Sequence, residues 1–190
     1  MAERKVYYFY EYVAQYISTC VGFEGVEALR RSAYDHRQYV KTREPGEAWI
    51  KPVMKAINVS RTKVPDRPSD LCKTPPSLVV SAKARDVLEP IAGTRTEFLP
   101  VEVEDGPDIY WISAPIFAEA FNRELSKVSG LDGVITSIDR PVLNGAEIPE
   151  NQGFLTLDRN AFMPVFSSQI AAAIREHDLY GISMRQIEVV

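Results

Sequence analysis

Cysteine and histidine are scarce in this chain of 190 residues, which contains two of each. Cys20 and Cys72 match no disulfide framework and no zinc-ligand spacing, so we expect two reduced, partly buried thiols. Two histidines cannot supply a histidine-rich metal centre, and the zinc-helix pattern His-Glu-x-x-His is absent. The sequence therefore predicts no metal and no other cofactor.

Motifs of nucleotide and acyl chemistry are missing as well. The sequence has no phosphate loop of the Walker type, no glycine-rich dinucleotide fingerprint and no Gly-x-Ser-x-Gly nucleophile elbow. The opening residues MAERKVYYFYEYV lack the apolar core and cleavage site of a signal peptide. No apolar run approaches the roughly 20 residues that a membrane-spanning helix needs. We expect a cytoplasmic protein that is not an enzyme and has no membrane partner.

The charge is unevenly distributed along the chain. Residues 30–73 contain 11 Lys and Arg against 5 Asp and Glu, a balance of +6, and the remaining residues contain 11 against 21, a balance of −10. Such asymmetry can steer a charged partner, although the same charges also suit an ordinary solvated surface. The basic stretch also contains Tyr34, Tyr39 and Trp49. Positive charge combined with aromatic side chains that can stack on bases is typical of proteins that bind single-stranded nucleic acid. The overall pI of about 5.3 and the absence of a recognition module argue against a nucleic-acid partner.

The N-terminal third gives the weakest structural signals. An aromatic-rich run from Lys5 to Tyr12 predicts a strand because its β-propensity is high. We expect a short helix from Glu24 to Tyr34, and the apolar spacing from Ile50 to Ile57 is helical. Residues 65–70, and then Pro75 and Pro76, are loop by composition.

The middle of the chain predicts a strand–helix–strand unit. Leu78 to Val80 forms a strand, and Ser81 is a helix N-cap because its hydroxyl can accept a free amide N–H of the first turn. One apolar helical stripe follows at Ala84, Val87, Leu88 and Ile91. Gly93 ends this helix, and residues 98–103 resume as a strand.

The C-terminal residues repeat this plan. Residues 164–166 form a strand, Ser167 or Ser168 is the cap, and Ile170, Ala173 and Ile174 form the apolar stripe. Gly181 is a turn before a strand from Ile182 to Val189. Ser81 to Val103 and Ser167 to Val189 each span 22 positions, but only four aligned residues are identical. Four identities do not establish a duplication, because strand–helix–strand crossovers are common.

Between the two units we expect a helix from Ala114 to Ser129, with Pro115 in its first turn and Gly130 as its C-cap. Asn144-Gly145 predicts a tight turn, as in a hairpin, and residues 154–157 a strand. Together the elements predict a single α+β domain over residues 1–190, with a mixed or mainly antiparallel sheet and packed helices. An α/β layer built from the two units is the alternative.

Four acidic residues are the candidate contact site. Glu102 and Glu104 share one strand face, and Asp105 and Asp108 lie in a predicted turn. They suit either a solvated acidic turn or a contact surface for a basic partner.

Each histidine has its own interpretation. A Cys20–His36 nucleophile pair would indicate an enzyme, although free cysteines are more often core residues. His177 follows a predicted helix, where the helix dipole favours a cation, and its alignment with Ile91 suggests partial burial.

The readable segments resemble a known family. One half is the run LVVSAKARDVL at 78–88, followed by EFLPVEV at 97–103. The other half is PVFSS at 164–168, followed by a helix and by DLYGI at 178–182. This order resembles the immunity-eleven family of bacterial polymorphic-toxin systems, over roughly residues 65–190. Asp178 stands where the family pattern has glycine. The Pro-Asp segment at residues 65–68 matches the family pattern only approximately.

The resemblance implies a small cytoplasmic protein that neutralises a cognate toxin, usually the product of a neighbouring gene, and it implies no catalytic residues. Our leading hypothesis is therefore an immunity protein that acts by stoichiometric binding, with Glu102, Glu104, Asp105 and Asp108 as toxin contacts. A regulatory or scaffold binding domain and an enzyme with a Cys20–His36 site are the alternatives. The sequence leaves the toxin and the oligomeric state open.

Overall fold

The computed structural model describes residues 6–13, 17–23, 43, 46–57, 69–74, 77–103, 106–158 and 164–190. These residues form an α+β fold with two α-helices and mainly antiparallel sheets, which confirms the predicted fold class. The prediction had a single sheet, whereas the described residues form two large sheets and a separate two-stranded hairpin.

The first large sheet has six strands in the order β2-β3-β6-β7-β5-β4. Its strands are β2 (Ile17–Phe23), β3 (Pro52–Ile57), β4 (Leu71–Thr74), β5 (Ser77–Ser81), β6 (Glu97–Val103) and β7 (Ile109–Ser113). β3 and β6 are parallel, and the other neighbours are antiparallel. The strands predicted at residues 78–80 and 98–103 are confirmed as β5 and β6.

The second large sheet has five strands in the order β10-β13-β1-β12-β11. Its strands are β1 (Tyr7–Val13), β10 (Val142–Leu143), β11 (Phe154–Thr156), β12 (Pro164–Ser167) and β13 (Ile182–Val189). β10 and β13 are parallel, and the others are antiparallel. β8 (Lys127–Leu131) and β9 (Val134–Arg140) form the separate hairpin.

Two serine-capped helices follow equivalent strands. α1 (Ala82–Leu88) begins after Ser81, whose hydroxyl accepts the Ala84 amide at 3.1 Å. α2 (Ser168–Glu176) begins after Ser167, whose hydroxyl accepts the Ile170 amide at 3.3 Å. Each bond satisfies an amide that has no partner within its helix. Ser81 is confirmed as a cap, and Ser167 rather than Ser168 caps the second helix.

A central core joins both helices to both large sheets. Alternation along β5 directs Leu78 and Val80 into this core and Val79 to the opposite face. Alternation along β12 likewise directs Phe166 into the central core and Val165 to a second core on the other face. The helices therefore bury their apolar stripes against both sheets, as the predicted helical spacing of 82–91 and 168–176 requires.

The helix predicted from Ala114 to Ser129 is wrong. Its first half forms a 3-10 turn at Ala118–Ala120, and its last residues belong to β8. The turn Asp132-Gly133 joins β8 to β9 with φ angles of +52° and +79°, the backbone that a two-residue hairpin turn needs. Tertiary pairing in this hairpin overrides the local helical spacing.

Two other local predictions need correction. The helical spacing from Ile50 to Ile57 belongs to strand β3, held by pairing with β2 and β6, and Pro52 is its first residue. Strand β4 lies between the two segments predicted as loop, at 65–70 and at 75–76, and was not predicted. Asn144-Gly145 leads into a 3-10 helix at Gly145–Glu147 rather than a hairpin. The helix expected from Glu24 to Tyr34 lies outside the described residues.

Candidate functional site

The predicted acidic turn connects β6 to β7. The Gly106 amide donates to the Val103 carbonyl at 3.0 Å, and the two strands then run antiparallel from the Val101–Ile109 pair. Glu102 and Asp108 are both exposed, at the two ends of this connection. Glu104 and Asp105 lie outside the described residues.

The carboxylate of Glu102 is in an ion pair with the ammonium of Lys51 at 3.0 Å. Lys51 precedes β3, the parallel neighbour of β6. The two side chains are 35% and 47% exposed, so water screens the pair and its contribution to stability is small. The pair nevertheless compensates part of the negative charge at Glu102.

The β8–β9 hairpin presents apolar side chains to solvent. Every residue of β8 is exposed, and Leu131 beside the turn is 74% exposed. The large exposed apolar side chains in this region are Leu125, Val128, Leu131 and Val134. The other side of β9 buries Ile135 and Ile138 in the second core, which anchors the hairpin to the fold.

A buried carboxylate joins distant parts of the chain. Asp70 accepts hydrogen bonds from the Ser81 hydroxyl and from the Tyr180 amide, each at 3.0 Å. The ammonium of Lys83 lies 3.9 Å from the same carboxylate and donates to the His177 carbonyl at 3.2 Å. The Ser81 hydroxyl is engaged as both donor and acceptor, so this cluster is a structural connection. Sequence reasoning missed it because Asp70 and Tyr180 are 110 positions apart.

The cysteines and histidines differ in what the structure describes of them. Cys72 is buried, as expected, and burial raises the pKa of its thiol to about 12. Its thiol is therefore protonated at neutral pH and is a poor nucleophile. Cys20 is a residue of β2 whose side chain is not described, and His36 lies outside the described residues, so their proposed pairing stays a prediction.

His177 follows α2 as its C-cap, where it was expected. Its side chain is exposed, so the partial burial predicted from alignment with Ile91 is wrong. A cleft of about 270 Å³ lies nearby between the end of α2 and the start of β13, with Arg175 and Asp178 among its polar lining residues. Arg175 is held over the ring of Tyr8, 5.2 Å from its centroid.

Within the described ranges, no group of three or more His, Cys, Asp or Glu side chains is placed to hold a metal ion. None of the described helices has the length and apolar character needed to cross a membrane. Comparison of the chain with protein-family models and with curated proteins finds no match.

Proposed function

We propose that this chain is a cytoplasmic immunity-type protein that neutralises a cognate bacterial toxin by stoichiometric binding, without catalysis. The observation that carries the proposal is the ordered pair of strand–Ser–helix segments that resembles the immunity-eleven family. Both segments have their serine as a helix cap, at Ser81 and Ser167, and both pack into the central core. The family-like residues thus build the scaffold, which leaves exposed connections to recognise a partner.

The acidic connection between β6 and β7 is the proposed contact surface. Its members are Glu102, Glu104, Asp105 and Asp108. Exposed carboxylates attract a basic toxin before contact and speed its association. Glu102 is partly compensated by Lys51, so Asp108 is the described residue whose charge is most available to a partner.

Co-expression with the product of the adjacent gene is the first test. The proposal predicts growth rescue from that toxin and co-purification of a stable one-to-one complex. A neighbour that is toxic alone, yet is neither neutralised nor bound by this chain, would exclude the pairing.

The contact surface is tested separately by charge-neutral variants. Asp108→Asn should slow association with a basic toxin by about two- to tenfold at low salt, with little change in dissociation. The matched control is Glu150→Gln, which removes one exposed negative charge from the connection between β10 and β11. Equal effects of both variants would indicate a response to net charge rather than a local contact. Association that does not depend on ionic strength would remove the steering role.

A further inference from the structure

The two large sheets share one strand order. Five consecutive strands of the first sheet, β4-β5-β7-β6-β3, correspond to β11-β12-β1-β13-β10 of the second. In each series the last pair is parallel and the first three are antiparallel. Each series also has one serine-capped helix directly after its second strand. The correspondence therefore covers order, direction and helix placement.

The pairing registers coincide as well. Ser81 lies opposite Ile109, which in turn lies opposite Val101. Ser167 lies opposite Tyr7, which in turn lies opposite Ile187. The serine-to-serine offset is 167 − 81 = 86 positions, and the offset from Val101 to Ile187 is also 86. A one-residue slip in either sheet would break this agreement.

Side-chain contacts repeat at the same positions. Glu102 lies opposite Val53, and Glu188 lies opposite Val142, in parallel pairs. The cation two residues before each valine forms the ion pair: Lys51 with Glu102 at 3.0 Å, and Arg140 with Glu188 at 2.7 Å.

An arginine also covers the equivalent tyrosine of each unit. Arg85 of α1 covers the ring of Tyr110 at 4.3 Å, and Arg175 of α2 covers the ring of Tyr8 at 5.2 Å. Tyr110 is opposite Val80 and Tyr8 is opposite Phe166, which occupy the same place in the two units.

We infer that the chain is an internal duplication in circularly permuted form. The first unit comprises β3 to β7 with α1, and the second comprises β1 and β10 to β13 with α2. Backbone hydrogen bonds, here called the clamp, hold each unit against the other. In the first unit the central strand β7 follows β6 directly. In the second unit its counterpart, β1, precedes all the other described strands, and it pairs with β13 from a distant part of the sequence. The four identities seen in the sequence are what remains of the repeat.

The clamp consists of two equivalent pairs of hydrogen bonds. The amides of Asp70 and Leu71, at the start of the first unit's edge strand, both donate to the Tyr180 carbonyl of the second unit, at 2.7 and 3.0 Å. The amides of Gly153 and Phe154, at the start of the second unit's edge strand, both donate to the Ala92 carbonyl of the first unit, each at 3.0 Å. Each unit therefore holds the edge strand of the other unit through two backbone hydrogen bonds.

A glycine follows each accepting carbonyl. Gly181 has φ of +128° and Gly93 has φ of +89°. A Cβ at Gly181 would collide with the Leu71 carbonyl oxygen, and one at Gly93 would come within 2.8 Å of the Gly153 nitrogen. Each glycine thus allows the other unit's edge strand to approach, in addition to adopting a backbone that disfavours other residues.

A circular permutant tests the duplication in the full chain. It joins Val190 to Met1 and opens the chain between Asp105 and Gly106, which exchanges the roles of the two units. The new link consists of residue 190 and residues 1–6, two residues more than the five at 104–108. We expect one cooperative unfolding transition with a Tm within about 5 °C of the parent chain.

The matched control is a permutant with the same link that opens the hairpin turn between Asp132 and Gly133, which has no counterpart among the described residues of the first unit. We expect it to have the lower Tm, because it separates β8 from β9. An Asp105–Gly106 permutant that is unfolded, or no more stable than this control, would overturn the inferred equivalence.

Hydrogen exchange tests the clamp in single variants. Gly181→Ala should accelerate exchange of the Leu71 amide, and Gly93→Ala that of the Phe154 amide, each by at least about tenfold. The control is Gly133→Ala, which also has a positive φ of +79° but would place its Cβ in open space. Acceleration confined to the unit that carries the substitution would contradict a clamp between units.

Discussion

The carboxylate of Asp70 accepts a hydrogen bond from the backbone amide of Tyr180 at 3.0 Å, although the two residues are 110 positions apart in the sequence. The same carboxylate accepts a hydrogen bond from the hydroxyl of the helix cap Ser81, so one side chain joins the start of α1 to the segment between α2 and β13. This contact is a side-chain addition to the backbone clamp between the two units.

Replacing that carboxylate should destabilise the fold. Asp70→Ala leaves the Tyr180 amide and the Ser81 hydroxyl without their acceptor in a buried site, and we expect a loss of about 2–4 kcal/mol in the free energy of unfolding. Denaturant unfolding measures this change. Asp108→Ala, at an exposed carboxylate, is the control and should change it by less than about 0.5 kcal/mol. Similar losses in the two variants would show that Asp70 is not a structural connection.

Replacing either capping serine should lower the stability of the fold, and the loss should be larger at Ser81 than at Ser167. Ser167→Ala removes one amide acceptor and should cost about 1 kcal/mol. Ser81→Ala should cost more, because its hydroxyl also donates to Asp70. Ser168→Ala is the control, since this exposed serine is inside α2 and is not the cap. Thermal unfolding of the three variants would contradict the assignment if Ser168→Ala had the largest effect.

The Cys72 thiol should resist alkylation in the folded protein. Its pKa is raised by burial from 9.0 to about 12, so the reactive thiolate is rare at pH 8. In a Cys20→Ser background, which leaves Cys72 as the single thiol, labelling by iodoacetamide should be slow and should accelerate on unfolding. Rapid labelling of the native variant would mean that the thiol is accessible.

The same pKa shift predicts a pH dependence of stability. The unfolded thiol ionises above about pH 9 and the folded thiol only near pH 12, so the unfolded state is favoured progressively between these values. Below about pH 9 the thiol should make no pH-dependent contribution. Comparing the parent chain with Cys72→Ala across pH 8–11 by denaturant unfolding isolates this term, and parallel curves would contradict it.

Shortening side chains on the two faces of the β8–β9 hairpin should have different effects on the free energy of unfolding. Ile138→Ala opens a cavity in the second core and should cost about 2–4 kcal/mol. Val134→Ala removes an exposed side chain in the same strand and should cost less than about 0.5 kcal/mol. Equal costs, measured by chemical denaturation, would mean that the hairpin packs differently.

Sequence reasoning succeeded where structure is determined locally. The helices after Ser81 and Ser167 were predicted because the cap, the apolar stripe and the following glycine all lie within a few turns. It failed at residues 114–129, where the spacing of Phe117, Ala120 and Phe121 is helical but the residues serve a buried turn and a bridge to Leu143. The sequence Asp132-Gly133 between two apolar residues was the signal that could have revealed the hairpin.

The candidate site was only partly predictable for the same reason. The turn around residues 105–108 follows from its own composition, and the structure places Glu102 and Asp108 at its ends. The ion pair that compensates Glu102 depends on the parallel pairing of β3 with β6, which the spacing at 50–57 did not indicate. Long-range strand pairing is not encoded in any short window of sequence.

The position of β1 between β12 and β13 has a consequence for protein synthesis. Val13 ends β1 and Pro164 begins β12, so the 150 residues at 14–163 must be translated between them. At about 5–20 residues per second, the ribosome needs about 8–30 s to reach the start of β12, and the other neighbour, β13, follows still later. During that interval the nascent segment Tyr7–Val13 has neither of its sheet partners, so it is an unpaired aromatic strand of the kind that a chaperone protects from aggregation.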